Sequence, residues 1–416
     1  MDLRQRRVES LAVEAATGFR VVILNGPRQS GKSTLMQAIH RSTGGTLVTL
    51  DDREPLRSAR TDPAGFVADR PHPLFVDEVQ RGGDPLILAV KSFVDREPIP
   101  GRIFLAGSSR FLTVPGLTES LAGRARIIDV WPFTQGEFIG GPDRFIDLLF
   151  GAAADLRQLE LIAEDRPKVF RRVVMGGFPA VASLPSDRLR TAWFGDYVRT
   201  LIERDLRQLR TPRQVVDLPR LVTLIAQRTS HELVTLSMSH ALGLSHETVR
   251  DYLGLLETIY LHHRLPAWSL GATGRVKRRP KLHMVDTGLA ASILALSAES
   301  LSSPESPWAG ALLETFVVNE LVRQTTWSDL PVRLYHYRDE AKREVDVVVE
   351  LPDGRVACVE VKSARDADET DFRHLRFMRD KLGDRFVNGV VIHLGNKPQP
   401  FGDRLTSMPI SALWSA

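Results

Sequence analysis

The sequence predicts an α/β protein, with a parallel sheet at its N-terminus, a mainly helical middle and a second α/β region at its C-terminus. Three observations carry this. A short apolar run at residues 21–24 leads through a glycine-bearing loop into a helical stretch. Residues 233–260 read as two short helices about a glycine turn. Residues 343–362 alternate as a hairpin about Pro352-Asp353-Gly354.

Length and composition bound the class. A chain of 416 residues is too long for one ordinary core and implies two or three domains. Apolar residues at 43% and charged residues at 25% are those of a soluble globular protein. No apolar run approaches the roughly 18 residues a membrane helix needs. The start MDLRQRRVES has charges but no apolar h-region, so no secretory signal is read there and the cytoplasm is expected. One cysteine, Cys358, rules out an internal disulfide and a cysteine zinc site. The net charge of +4 is mild, so any argument for nucleic acid depends on where charge sits.

Val21-Val-Ile-Leu24 suits a buried parallel strand. Gly26-Pro-Arg-Gln29-Ser30-Gly31-Lys32-Ser33 then matches G-x-x-x-x-G-K-[ST], the P-loop, and Thr34 opens the helical run TLMQAI. Glycines let backbone N–H groups wrap phosphates, and the helix start adds partial positive charge. Lys32 is expected at the β- and γ-phosphates of ATP, and Ser33 on Mg²⁺. Leu74-Phe-Val-Asp77-Glu78 is an apolar strand ending in two acids. Asp77 suits the metal shell and Glu78 the attacking water. The alternative is a strand that ends in a solvated acidic turn. A third strand, Ile103-Phe-Leu-Ala, places the Ser108 hydroxyl at its tip, within reach of the γ-phosphate or the water. Beyond it, Arg124 and Arg126 can neutralise transition-state charge, in the same subunit or across an interface, or can make surface ion pairs.

The combination GPRQSGKST, LFVDEVQ, FLAGSSRF and ESLAGRAR resembles the AAA+-related bacterial and archaeal ATPases that carry a DUF4143 region. The GGFP turn at Gly176-Gly-Phe-Pro179 and Glu203-Arg-Asp-Leu206 belong to the same likeness, which covers most of the chain. It implies an AAA+-type parallel-sheet domain, a DNA-binding module, a nuclease-like C-terminal fold and ATP-driven work on branched DNA of the fork or Holliday type. A homo-oligomer with ATP sites near subunit interfaces is expected with it.

In the middle, SMSHAL ends at Gly243, suited to the left-handed position past a helix end, and Ser245 suits the next N-cap. Val249, Tyr252, Leu253, Leu256, Ile259 and Tyr260 then fall on one helical face. His246, Glu247 and Arg250 mark the exposed start of this helix, as in a recognition helix. No acid occurs between Glu257 and Asp286, while Arg264, Arg275, Lys277, Arg278, Arg279 and Lys281 do, with Trp268 and Tyr260 nearby. A winged helix whose wing holds DNA phosphates fits, and so does a spacer or protein dock with a solvated basic turn. Glu247 at the tip favours structure-selective over sequence-specific contact. His262-His263 lack a ligand set and read as packing residues.

In the C-terminal hairpin a three-residue loop closed by glycine sets Asp346 against Glu360, with Lys362 on the same face. That is the D…E-x-K arrangement of PD-(D/E)xK nucleases, in which carboxylates bind Mg²⁺ and the lysine tends the water. Glu314, on the preceding helical stretch, is a further candidate ligand. A solvated charged hairpin is the alternative. Cys358 reads as packing.

The expected organisation is an ATPase domain over 1–140, a helical connector over 141–209, a winged helix over 210–283 and a nuclease-like domain over 300–416, with Ser/Pro-rich 298–308 as a linker. Three functions compete: an ATP-driven motor or helicase on DNA, an ATP-gated metal-dependent nuclease, and a non-translocating ATP switch.

Overall fold

The computed structural model describes residues 4–108, 121–206, 217–271, 275 and 278–416. They form two compact units, Met1–Phe133 with Thr258–Tyr260, and Thr134–Glu257 with Leu261–Ala416.

The first unit is a five-stranded parallel sheet in the order β2-β3-β4-β1-β5. Its strands are β1 (Val21–Asn25), β2 (Thr46–Thr49), β3 (Leu74–Asp77), β4 (Ile103–Gly107) and β5 (Ala125–Asp129). Helix α1 (Val8–Gly18) precedes them, and α2 (Lys32–Thr43), α3 (Arg53–Thr61), α4 (Pro63–Ala68) and α5 (Gly83–Arg96) lie between them. The apolar runs are explained by burial on both faces, as a parallel sheet requires. Val21, Ile23, Leu74, Val76, Ile103 and Leu105 share a core with Leu86, Val90 and Phe93 of α5. On the other face Phe75 stacks on Phe104 at 4.5 Å. This buries every residue of β1 and β4 and fixes which strand ends meet.

The second unit opens with helices, among them Arg166–Met175 and Asp187–Thr200. The helix Thr235–Leu242 ends at Gly243, in the left-handed region at φ 69°. Ser245 then caps the helix His246–Thr258, its Oγ accepting from the Thr248 N–H at 3.0 Å. Beside this pair β6 (His231–Glu232), β8 (Lys281–Met284) and β7 (His262–Leu265) form a small antiparallel sheet in that order. Residues 298–308 are not a bare linker. Ala298–Ser302 is a helix with a Ser297–Ser300 capping box, and Leu301 is buried. The guanidinium of Arg166 holds the Ser302 carbonyl at 2.8 Å, so the segment is packed into the unit.

The C-terminal part is a six-stranded mixed sheet, β13-β14-β12-β11-β10-β9. Its strands are β9 (Arg333–Arg338), β10 (Glu344–Glu350), β11 (Val356–Val361), β12 (Phe386–His393), β13 (Gln399–Pro400) and β14 (Leu405–Pro409). The β10–β11 register is Val347↔Val359 and Val348↔Cys358, which extends to set Asp346 across from Glu360. Leu351 and Arg355 close the three-residue loop, and Gly354 at φ 87° supplies the left-handed residue that such a loop needs. Cys358 is wholly buried, its thiol pushed up by burial and by Glu360, which makes it a packing residue.

Candidate functional site

A nucleotide-binding face is built at the C-terminal edge of the first unit's sheet, where β1, β3 and β4 end side by side. Gly26 leaves β1 at φ 152°, and a Cβ there would lie 2.3 Å from the Val130 carbonyl oxygen, so the loop must start on glycine. Gln29 is exposed on the loop, and Gly31 stands just ahead of α2, in the left-handed region. Lys32, 6% exposed, turns its ammonium back on the loop and donates to the carbonyls of Gly26 at 2.9 Å and Pro27 at 2.7 Å. Burial lowers its pKa to about 8, with Glu78 and Asp77 opposing the shift. Ser33 and Thr34 are exposed at the start of α2. The Ser33 hydroxyl donates to Asp77 Oδ2 at 2.6 Å, joining the loop to the end of β3. Burial raises the Asp77 carboxyl, against the hydrogen bonds from Ser33 and the Glu78 amide.

Glu78 sits in the left-handed region at φ 52°, with its N–H on Asp77 Oδ1 at 2.9 Å. Its carboxylate accepts from Ser108 at 3.3 Å and from the amide of Gln80. Gln80 also reaches Ser108 Oγ at 3.2 Å. The candidate base is therefore held by a small network spanning the ends of β3 and β4. Strained backbone of this kind costs about 1–3 kcal/mol and is kept where the surroundings fix it.

Two residues here escaped the sequence reading. Gln80, at the end of LFVDEVQ, carries no sequence signal beyond its spacing two residues past Glu78. In the sequence Arg6 is one of several N-terminal charges. It is buried and donates to the carbonyls of Ser30 at 2.5 Å and Trp131 at 2.7 Å, bracing the loop from below.

This geometry fits ATP and Mg²⁺. The Ser30 hydroxyl is buried without a partner, Lys32 is a buried cation resting on main-chain carbonyls, and Ser33 and Asp77 offer adjacent oxygens. When bound, ATP would supply the phosphoryl electrophile, and Mg²⁺, which Ser33 and Asp77 would hold, its charge neutralisation.

The arginine expectation is corrected within one chain. β5 runs parallel to β1 with Val21↔Ala125, so Arg124 lies at the edge where β1 begins and Arg126 one pair further on. The loop leaves from Asn25 at the opposite edge, about 13 Å away at the rise of a strand. Arg124 is committed to Asp95, at 2.5 and 2.9 Å, and Arg126 is exposed. Neither serves its own chain's loop. Glu119 lies outside the described residues.

The basic stretch of the second unit does not act as one patch. Arg275 makes a two-pronged ion pair with Glu350, at 2.6 and 2.8 Å, and lies over Trp268 and Tyr335. Trp268 is buried and donates to Glu350 at 3.1 Å, so it is no stacking surface. Arg278 donates to the Arg338 carbonyl at 2.5 Å. Lys281 is buried among carboxylates. Arg275 and Lys281 are therefore corrected from DNA contacts to internal partners. Lys277 lies outside the described residues. Arg279, His246 and Arg250 are exposed, with His246 bonded to Thr235 at 2.7 Å. His262 and His263 are buried on the Leu253 carbonyl and Asn319, as packing residues.

At the C-terminal sheet the structure brings Glu314, Asp346, Glu360 and Lys362 together and adds two residues, Lys281 and Glu344. Lys281 Nζ lies 2.7 Å from Glu314, 2.7 Å from Glu344 and 3.2 Å from Asp346. Burial alone would lower its pKa, yet the three carboxylates hold it well above the usual lysine value. Lys362 binds Glu360 at 2.9 Å. Burial, then the Asp346 charge, lifts both the Glu314 and Glu360 carboxyls. Among the described residues no cluster of histidine, cysteine or acid offers a metal site. The expected Mg²⁺ does not fit here, because an ammonium lies among the oxygens.

Comparison with known proteins agrees with the first unit. Residues 18–139 match the model of an AAA domain, residues 166–300 a domain of unknown function (DUF8612) and residues 309–413 a domain of unknown function (DUF4143). Uncharacterized proteins of Mycobacterium tuberculosis and Mycobacterium bovis are each 28% identical over 391 residues, 94% of this chain and 80% of theirs. Among solved structures, the Walker-type ATPase of Pyrococcus abyssi is 16% identical, with a TM-score of 0.42 over 70% of this chain and 96% of its own. A DNA replication initiation factor is 10% identical, with a TM-score of 0.26 over 76% of each chain. Scores at this level do not establish a shared overall fold. No helix among the described residues is long and apolar enough to cross a membrane. The chain thus joins an N-terminal P-loop AAA domain to a middle region that matches DUF8612 and a C-terminal region that matches DUF4143.

Proposed function

We propose that this chain is an ATP hydrolase that uses turnover to remodel DNA, with forked or four-way DNA as its preferred partner. The observation that carries the hydrolase is the 2.6 Å bond from Ser33 to Asp77, which sets the P-loop against the acid-bearing end of β3. Lys32 exchanges the loop carbonyls for phosphate oxygens, and Glu78 orients water once it is released from Gln80 and Ser108. Arg124 and Arg126 stand at the far edge of the sheet from their own chain's loop, and a catalytic arginine supplied by a neighbouring subunit of a homo-oligomer fits that placement.

For DNA, the reading rests on the exposed start of the helix His246–Thr258, with His246 and Arg250, and on Arg279. The helix pair and the β6-β8-β7 sheet then act as a winged helix, and the C-terminal sheet is PD-(D/E)xK-like without its metal chemistry. The test is the steady-state ATPase rate of the full chain, alone and with duplex, single-stranded, forked and four-way DNA, using Lys32→Ala as the blank. Stimulation by branched DNA above duplex supports the reading. Equal rates with and without every DNA would sink the remodelling half and leave an ATPase with another partner.

A further inference from the structure

The carboxylate face of the C-terminal sheet has the right acids for a divalent cation and yet has no room for one. Four of the oxygens of Glu314, Asp346 and Glu360 are already engaged. Glu314 Oε1 and Asp346 Oδ1 accept from the Lys281 ammonium, and Asp346 Oδ2 takes the Val361 N–H at 2.9 Å. Glu360 Oε1 takes Lys362. A fifth oxygen, Glu360 Oε2, is buried and has no hydrogen-bond partner. A magnesium ion needs near-octahedral oxygens at about 2.0–2.1 Å. An ammonium at 2.7–3.2 Å from three of these carboxylates fills the space between them and repels a second cation.

Lys281 is not a loose tail that swings aside. It opens β8, the middle strand of the small sheet, with Leu265 and Glu232 as its register partners on either side. At 2% exposure the side chain is fixed along its length. We infer that the Lys281 ammonium stands in the place of the divalent cation of a D…E-x-K site, so that this face is built closed to metal. This inference stands apart from the motor reading, since it concerns only what the carboxylates hold.

The test uses the full chain with Asp77→Asn throughout, which silences the P-loop metal, and follows Mn²⁺ uptake by paramagnetic resonance together with thermal melting. With Lys281 intact, no Mn²⁺ is taken up and the melting temperature is unmoved by the ion. Lys281→Met, which keeps the stem and removes the charge, takes up a single Mn²⁺ and melts higher in its presence, and adding Asp346→Asn abolishes both. Uptake by the chain with Lys281 intact that is lost on Asp346→Asn would overturn the inference. A folded Lys281→Met chain that takes up none would overturn it equally. If that variant fails to fold, Lys281→Gln, which keeps hydrogen bonds to the carboxylates, replaces it under the same two criteria.

Discussion

The P-loop face of the first unit and the carboxylate face of the second each enclose a buried lysine, and the two are in opposite electrostatic states. Lys32 rests on two main-chain carbonyls, with Asp77 and Glu78 acting only at a distance, and burial brings its pKa down to about 8. Lys281 touches three carboxylates and stays far above the usual value. A buried cation without a matched counter-charge is held ready for an anion. One whose counter-charges are already in place is a structural tie. The same residue type therefore marks a site awaiting a ligand in one region and a site closed to one in the other.

The contrast is broken most directly by removing each lysine. Lys32→Ala is expected to lower ATP hydrolysis by at least about 100-fold, the scale of losing a principal charge stabiliser, with little change in melting temperature. Lys281→Ala should do the reverse, costing about 3–5 kcal/mol in a denaturant titration because three carboxylates lose their cation. A Lys281→Ala chain as stable as the parent would end the description of this face as a structural tie.

Acidity sharpens the comparison. Bound phosphates raise the Lys32 pKa, so the complex holds more protons than the free chain, and affinity must fall as pH rises through about 8. Nucleotide binding measured at pH 7 and 9 should show this loss, and Lys32→Arg should flatten it. Gln80→Ala frees Glu78 of one hydrogen bond, worth about 1 kcal/mol, and should raise the rate without DNA about fivefold. The smallest effect is expected at Arg250→Ala, which should lower the salt slope of DNA binding by about 1 without changing the preferred structure.

How much was legible in the sequence follows from how local each signal is. The P-loop, the acid pair after β3 and the hairpin register were readable because a few adjacent residues set each of them. Gly354 alone chooses the loop that sets Asp346 against Glu360. The fate of the basic stretch was not readable. Arg275 and Lys281 look like a run of unopposed charge, since no acid follows Glu257 until Asp286. Their partners, Glu350, Glu314, Glu344 and Asp346, come from 33 to 75 residues further along the chain. Composition points to a linker at 298–308 for a related reason. Ser300 closes a capping box with Ser297 just ahead of it, and Leu301 is the apolar contact that composition alone conceals.

The most direct measurement is Mn²⁺ uptake by the full chain dialysed with a non-hydrolysable ATP analogue, for the parent and for Asp77→Asn. The account predicts uptake by the parent that depends on the analogue and is lost in Asp77→Asn. Uptake that survives Asp77→Asn, or that needs no nucleotide, would contradict the assignment of one open face and one closed.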